Sequence, residues 1–458
     1  MIRRQFQRQH EAGQRKLLRT TVRTHLSADA LIATVRGAFE QVSDSRKGKP
    51  GIPMADALMS AYAMFSLKDP SVLAFEKHWK EDESNLRSIY KIGTIPSDTQ
   101  MRAILDPVSP EKLRPAHNDI LRDLQRGKAL EKMRYLEEGY LLLIDGTGCF
   151  SSQKLSSPIC LEKTNSATGE TTYHLQMLGA AIANPELKEV VPLIPEAISK
   201  QDGQNKNDCE MNASRRLIIA FHREHPHLEI VVGQDGISPN GPYIRFVKEH
   251  GYHFIFSVKE ADHTHLFARF DSAIKNKRAQ EMTLDDPEKK DTLHYFRWMN
   301  GLPINGSHQD VLVNVLEYWE VRGEKIKRFC WVTDIPIGAE NVYRLMRAGR
   351  ARWKIENETF NTLKNQGYHL EHNYGLGEKY LAIVFMKLMV LAFLTDQVQQ
   401  LCCGLFRSVW KKTGTKKELW ERMRSLFRCF KLPSMEMLYL AILHGYARCE
   451  PVIGPDSS

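Results

Sequence analysis

Two short apolar runs constrain this chain more than any other feature. They are YLLLID, ending at Asp145, and LEIVVGQD, ending at Asp235, and a glycine follows each acid at once. Runs of Leu, Ile and Val bounded by Gly read as buried strands. An acid at such a strand end projects from a rigid scaffold into the crevice where α/β sheets place their ligands. One strand-end aspartate reads as a turn residue. Two of them, on strands expected to be central, point to metal binding, and their oxygens suit Mg²⁺ or Mn²⁺.

The third element is RWKIENETFNTLKNQG. Read as an α-helix, it makes Arg352 and Glu356 i,i+4 neighbours and continues that row through Phe360 and Lys364. Trp353, Phe360 and Leu363 form a stripe that can pack on a sheet, with Glu356 beside it. A bland reading exists, an exposed Arg–Glu helix pair worth a few tenths of a kcal/mol. The two aspartates tip the balance toward three converging carboxylates. Glu358 is the rival third acid, and the Arg352 spacing favours Glu356. Asp334, at the end of CWVTD, reads as a turn residue.

The elements around these acids define the organisation. Residues 28–130 read as helical, with Ser27 and Ser97 as caps and residues 54–65 (MADALMSAYAMF) apolar nearly all round, hence buried. From Tyr140 the pattern changes to strands at 140–145, 172–183 and 189–198, a helix at 207–223, then strands at 228–235 and 253–259. That order implies a layered α/β domain. Residues 310–321 and 328–333 read as strands of a β-insertion, and the chain after Ala339 reads as helical. QDGQNKNDCE holds Asp202, Asp208 and Glu210, whose expected role is capping, with Asn207 or Asp208 at the helix start. His222, His225 and His227 read as surface residues rather than zinc ligands, since Pro226 breaks their spacing.

Charge and cysteine usage set the class of partner and compartment. The formal charge of +9 fits a polyanionic partner. The opening segment, with Arg3, Arg4, Arg8, Arg15, Lys16, Arg19 and Arg23, reads either as an arm tracking a DNA backbone or as a solvated terminus. No two of the eight cysteines form a CxxC pair, so neither a zinc finger nor a redox motif is signalled. The first twenty residues have no apolar h-region, and the apolar stretch 381–394 contains Lys387 and is short for a bilayer. A cytoplasmic chain without a membrane partner is the expectation.

The segments LLLIDGTGCFSSQKL, TYHLQMLGAAIANPELKEVVPLIPE, QDGQNKNDCE, VVGQDG and RWKIENETFNTLKNQGYHLEH resemble those of bacterial insertion-sequence transposases of the DDE type. The resemblance runs from about Tyr140 to Tyr374, and more loosely over GIPMADALMSAYAMFSLKDPS. It implies an α/β fold with a ribonuclease-H-like mixed sheet flanked by helices, a β-rich insertion and an all-helical N-terminal domain. The corresponding division is 1–135 for DNA-end binding, 136–258 with 337–400 for the catalytic core, 259–336 for the insertion, and 401–458 as a helical C-terminal segment. It further implies Asp145, Asp235 and Glu356 as catalytic and metal-binding acids, Mg²⁺ or Mn²⁺ as cofactor, and Arg352 and Lys364 as DNA contacts. Element ends and target DNA would be the partners of a homodimer that acts at the nucleoid. A metal-dependent nuclease without strand transfer and a non-catalytic DNA-binding derivative are the alternatives. The chain departs from the family pattern in two places: Gly349 stands where relatives carry Tyr, and Leu363 where they carry Lys, with Lys364 one residue later.

Overall fold

The computed structural model describes residues 24–80, 82–200, 208–236, 239–286, 289, 291–446 and 450–451. The basic opening segment Arg3 to Arg23, and Asp202 and Asn207, lie outside the described residues. Twelve strands build one open, mostly antiparallel sheet in a mixed α/β fold. They are β1 (Arg134–Leu136), β2 (Gly139–Ser152), β3 (Leu161–Thr164), β4 (Thr171–Ala183), β5 (Val190–Pro192), β6 (Glu196–Ile198), β7 (Ile230–Gln234), β8 (His253–Ser257), β9 (Gln280–Asp285), β10 (Thr292–Pro303), β11 (Leu312–Arg322) and β12 (Lys325–Thr333). The order across the sheet is β3-β4-β2-β7-β8-β12-β11-β10-β9, with β1 on β2 and with β5 and β6 on β4. The β2–β7 and β7–β8 pairs are parallel.

Two strand expectations are corrected. β2 does not end at Asp145 but continues to Ser152, because antiparallel pairing with β4 carries it from Leu141↔Ala183 to Ser152↔Tyr173. The glycines that looked like breakers are absorbed by a register shift between Gly148 and Phe150, the effect of a bulge. The single strand expected over 189–198 is two short ones, β5 and β6, both on β4. In the stretch 259–336, a helix, Thr264–Lys275, precedes strands β9 to β12. Those strands prolong the main sheet through the β12–β8 pair, Trp331↔Ser257 to Thr333↔Ile255.

The helices start where their caps dictate. The Ser27 hydroxyl accepts the Ala30 N–H ahead of Ala28–Glu40, and Ser97 with Gln100 makes a capping box for Asp98–Leu105. Every residue of Met54–Leu67 is buried, as an all-round apolar helix requires. It packs on Leu381–Cys402, a helix long and apolar enough by composition to cross a membrane but wholly buried within the fold. That helix runs further than the apolar stretch 381–394 indicates, because its polar second half finds buried partners. Asp396 pairs with Lys68, Gln397 accepts the Val190 N–H at 3.1 Å, and Gln399 accepts the Tyr439 hydroxyl at 2.6 Å.

The Lys68–Asp396 pair is the most deeply buried of these contacts, with the Lys side chain wholly covered. Lys68 also donates to the Ser66 carbonyl at 2.8 Å and lies 4.1 Å over the Trp420 ring, while the Tyr368 hydroxyl donates to Asp396. Removing one member leaves the other charge uncompensated in low dielectric. Asp396→Ala is therefore expected to cost about 3–5 kcal/mol of stability. A urea-unfolding curve within 1 kcal/mol of wild type, roughly the size of an exposed pair, would contradict the buried geometry.

Candidate active site

The parallel pairing of β2 with β7 runs from Tyr140↔Ile230 to Leu143↔Gly233. Counting two residues on from that last pair gives Asp145 on one strand and Asp235 on the other. Matched positions on parallel strands share a face, and neighbouring strands lie about 4.8 Å apart. The register therefore delivers the two acids to one end of one strand pair. β7 stops at Gln234, whose buried amide oxygen accepts the Tyr243 hydroxyl at 2.5 Å and whose amide nitrogen donates to Ser214 at 3.2 Å. Those bonds fix the backbone immediately before Asp235.

Glu356 arrives from the segment following Val342–Arg350. The expectation of a regular α-helix there is corrected: Ile355–Phe360 is a π-helix, continued by the α-helical turn Asn361–Asn365. Its cause lies in the sheet. Gly179 of β4 stands directly opposite Asp145, and a Cβ on Gly179 would lie 2.5 Å from the Phe360 ring and 3.8 Å from Ile355 Cδ1. Bonding with i→i+5 spacing turns Ile355 and Phe360 to the same side, so both rest on that one glycine. Lys354 ties the segment to the β4–β5 loop by donating to the Leu187 carbonyl at 2.6 Å. The predicted stripe is otherwise revised: Phe360 and Leu363 are buried, but Trp353 is 49% exposed and meets the Phe329 ring edge-on.

Arg352 joins the two strands of this construction. One nitrogen, Nη1, donates to Asp145 Oδ2 at 2.7 Å and to Glu356 Oε1 at 2.9 Å. The Arg352 and Asp145 side chains are only 16% and 15% exposed, so water screens their contact little, whereas Glu356 is half-exposed. Burial pushes the Asp145 carboxyl up to about 6, and the charges of Asp235 and Glu356 add to the rise. Arg352 and the Gly146 N–H, which donates to Asp145 Oδ1 at 2.9 Å, oppose it.

A fourth acid, Glu210, belongs to the same neighbourhood. It opens the helix Glu210–Glu224, and a Cβ on Gly146 would lie 2.2 Å from its carboxylate oxygen. Burial raises its carboxyl, and the charge of Asp235 raises it further. The sequence reading assigned this segment to capping, and that assignment is corrected. The N-cap is Cys209 without a side-chain bond, and Asp208 instead accepts from Arg216 at 2.6 Å. Gly146 after Asp145 was the available signal, readable only once the helix is known to cross it.

The remaining expected residues take other positions. Lys364 pairs with Glu371 at 2.8 Å and is near enough to Cys149 for its charge to act on that thiol. Glu358 faces a different group, acting electrostatically on Lys354 and Lys416. Asp334 accepts the Phe254 N–H at 3.1 Å and pairs with His253, the structural role expected of it. His225 is buried, contrary to its surface reading, because Phe221, Asn118 and Gln125 surround it. Gly349 lies under Trp331, where a Cβ would meet the indole at 2.6 Å, so this chain has no room for a Tyr there.

A donor set made wholly of carboxylate oxygen fits Mg²⁺ or Mn²⁺ in kind. A part-buried carboxyl raised by burial and by like charges also gains from added positive charge. Among the described residues, no three His, Cys, Asp or Glu side chains already stand within reach of one ion. The Arg352 guanidinium supplies the positive charge between Asp145 and Glu356 instead. No protein-family model matches the chain, and no curated protein matches it either.

Two outcomes follow from this geometry. Gly179→Ala forces Phe360 off the sheet at an overpacking cost of about 1–3 kcal/mol, and Gly179→Ala with Phe360→Leu recovers part of it. An unchanged unfolding midpoint for Gly179→Ala would remove Phe360 as the anchor. The second concerns pH. Because Asp145 is raised in the folded state, ionising it opposes folding, so the destabilisation is absent below its unfolded value near 3.8 and complete above about 6. In metal-free buffer, wild type should lose stability relative to Asp145→Asn as pH rises from 4 to 6.5. Parallel stability curves for the two proteins would show that the carboxyl is not raised.

Proposed function

We propose that this protein is a DDE-type transposase of an insertion sequence, with a ribonuclease-H-like catalytic core. It cleaves the ends of its DNA element and joins the freed 3′-hydroxyl to target DNA. The observation that carries this reading is the matched position of Asp145 and Asp235 beyond the β2–β7 pairing, with Glu356 tied to Asp145 through Arg352. The family resemblance of the segments bearing these same residues supports it independently of the geometry. Glu356 is preferred to Glu358 as third acid because it shares Arg352 with Asp145, while Glu358 faces Lys354 and Lys416.

Asp145, Asp235 and Glu356 would hold Mg²⁺ or Mn²⁺, which when bound supplies Lewis-acid charge to the attacking and leaving oxygens of an in-line phosphoryl transfer. The chain's own side chains do the rest. Arg352, with a planar fork of donors, clamps a phosphate bidentately, and Lys364, paired with Glu371, would contact DNA as a point charge only by leaving that partner. Glu356 is half-exposed and so open to a phosphodiester from solvent, whereas the part-buried Asp145 is held by Gly146 and Arg352. The net charge of +9 favours sequence-independent contact with double-stranded DNA. Recognition of element ends falls to the N-terminal helices, and a homodimer acting on the nucleoid would bring two ends together.

The decisive assay uses the DNA that terminates the element flanking the gene. Wild type should nick it only with Mg²⁺ or Mn²⁺, and then join the cut end to a second duplex. Asp145→Asn, Asp235→Asn and Glu356→Gln should each reduce nicking below detection with the fold intact, and Glu358→Gln should retain it. Wild-type nicking by any one of the first three variants would remove that residue from the site. Nicking without any joined product would favour a plain nuclease.

A further inference from the structure

We propose that Arg352 is an internal counter-ion that competes with the divalent ion for Asp145 and Glu356, so that seating of a DNA phosphate and binding of the ion strengthen one another. This rests on the reading of those two acids as metal ligands and adds the order in which the site is loaded. A single nitrogen, Nη1, holds both carboxylates, at 2.7 and 2.9 Å. That nitrogen occupies one oxygen of each carboxylate, and its charge repels a cation bound at such range. Both carboxylates can ligate one ion at full strength only when Arg352 withdraws.

Withdrawal has a cost. The guanidinium would give up two charge-assisted hydrogen bonds, one of them to a carboxylate only 15% exposed. The geometry also shows what compensates. Among the described residues, Nε and Nη2 of Arg352 make no hydrogen bond, which leaves that edge of the fork for a second anion. A phosphate diester fits it bidentately and draws the guanidinium away from the carboxylates. Without DNA the negative charge of the site is partly offset by Arg352, and the site takes the ion weakly. With a phosphate on Arg352, Asp145 and Glu356 are released to the ion. Linkage makes the effect reciprocal: the ion must strengthen phosphate binding by the same factor, and such couplings are typically about 5–150-fold.

The test is equilibrium Mn²⁺ binding to the full chain, by calorimetry or by the electron-spin signal of free Mn²⁺, with and without a short duplex of arbitrary sequence at low salt. Wild type should bind Mn²⁺ weakly alone and about 5–150-fold more tightly with the duplex. Arg352→Gln, checked for folding by circular dichroism, should bind Mn²⁺ more tightly than wild type without DNA and gain little from the duplex. Arg352→Lys, which keeps a positive charge, should stay weak. Equal Mn²⁺ affinity of wild type with and without duplex overturns the proposal, as does unchanged or weaker DNA-free binding by Arg352→Gln. Asp145→Asn separates this from the functional reading. If it abolishes Mn²⁺ binding while Arg352→Gln has no effect, only the competition fails. If Mn²⁺ binds equally well with Asp145→Asn, or does not bind wild type at all, the metal assignment fails with it.

Discussion

The site depends on the register of one parallel strand pair. Leu143 opposite Gly233 is the last pairing between β2 and β7, and an acid follows two residues later on each strand. A slip of one residue would turn one of the acids to the opposite face. The register is held from below by a buried hydrocarbon ladder, Tyr140 to Leu143 against Ile230 to Gly233, whose close approach uses Gly233: a Cβ there would lie 2.8 Å from Leu143. It is held at the tip by the Gln234, Ser214 and Tyr243 cluster. Both devices are apolar packing or satisfied buried polar groups, which makes the position of the acids a property of the core.

The third acid comes by a different route. The segment that bears Glu356 is seated sterically, through a glycine in the neighbouring strand. Gly179 opens a seat for Phe360 beside Asp145, and the π-helical turn lets Ile355 share it. Arg352 then spans the remaining gap electrostatically. Such a site gathers negative charge on a rigid frame and balances it with one internal cation. The same logic accounts for Glu210, which approaches only because Gly146 has no side chain.

The strands bearing both aspartates, the buried helix at 54–65 and the caps at Ser27 and Ser97 were legible in the sequence, because period, apolarity and cap chemistry are local properties. Other features were not legible, each for a nonlocal reason. β2 outruns Asp145 because β4 pairs with it far beyond the glycines. The π-helix sets two side chains five apart, Ile355 and Phe360, on one glycine in another strand. Trp353 looked like core by spacing, but it is half-exposed and meets the Phe329 ring edge-on. The helix from Leu381 outlasts its apolar run because Lys68, Val190 and Tyr439, all distant in sequence, satisfy its polar half. Of the acids near the site, Glu210 was read as a cap, since pattern alone cannot tell a helix-opening acid from one that faces a glycine across the fold.

The central claim is that Asp145, Asp235 and Glu356 share one divalent ion site. Iron-directed protein scission addresses it most directly: Fe²⁺ is bound in place of Mg²⁺, and peroxide with ascorbate generates hydroxyl radicals that cut the backbone beside the ion. Cuts are expected to cluster around residues 145, 235 and 356 together and to vanish with excess Mg²⁺. Scission at only one of the three segments, or at sites remote from all of them, would contradict the shared site.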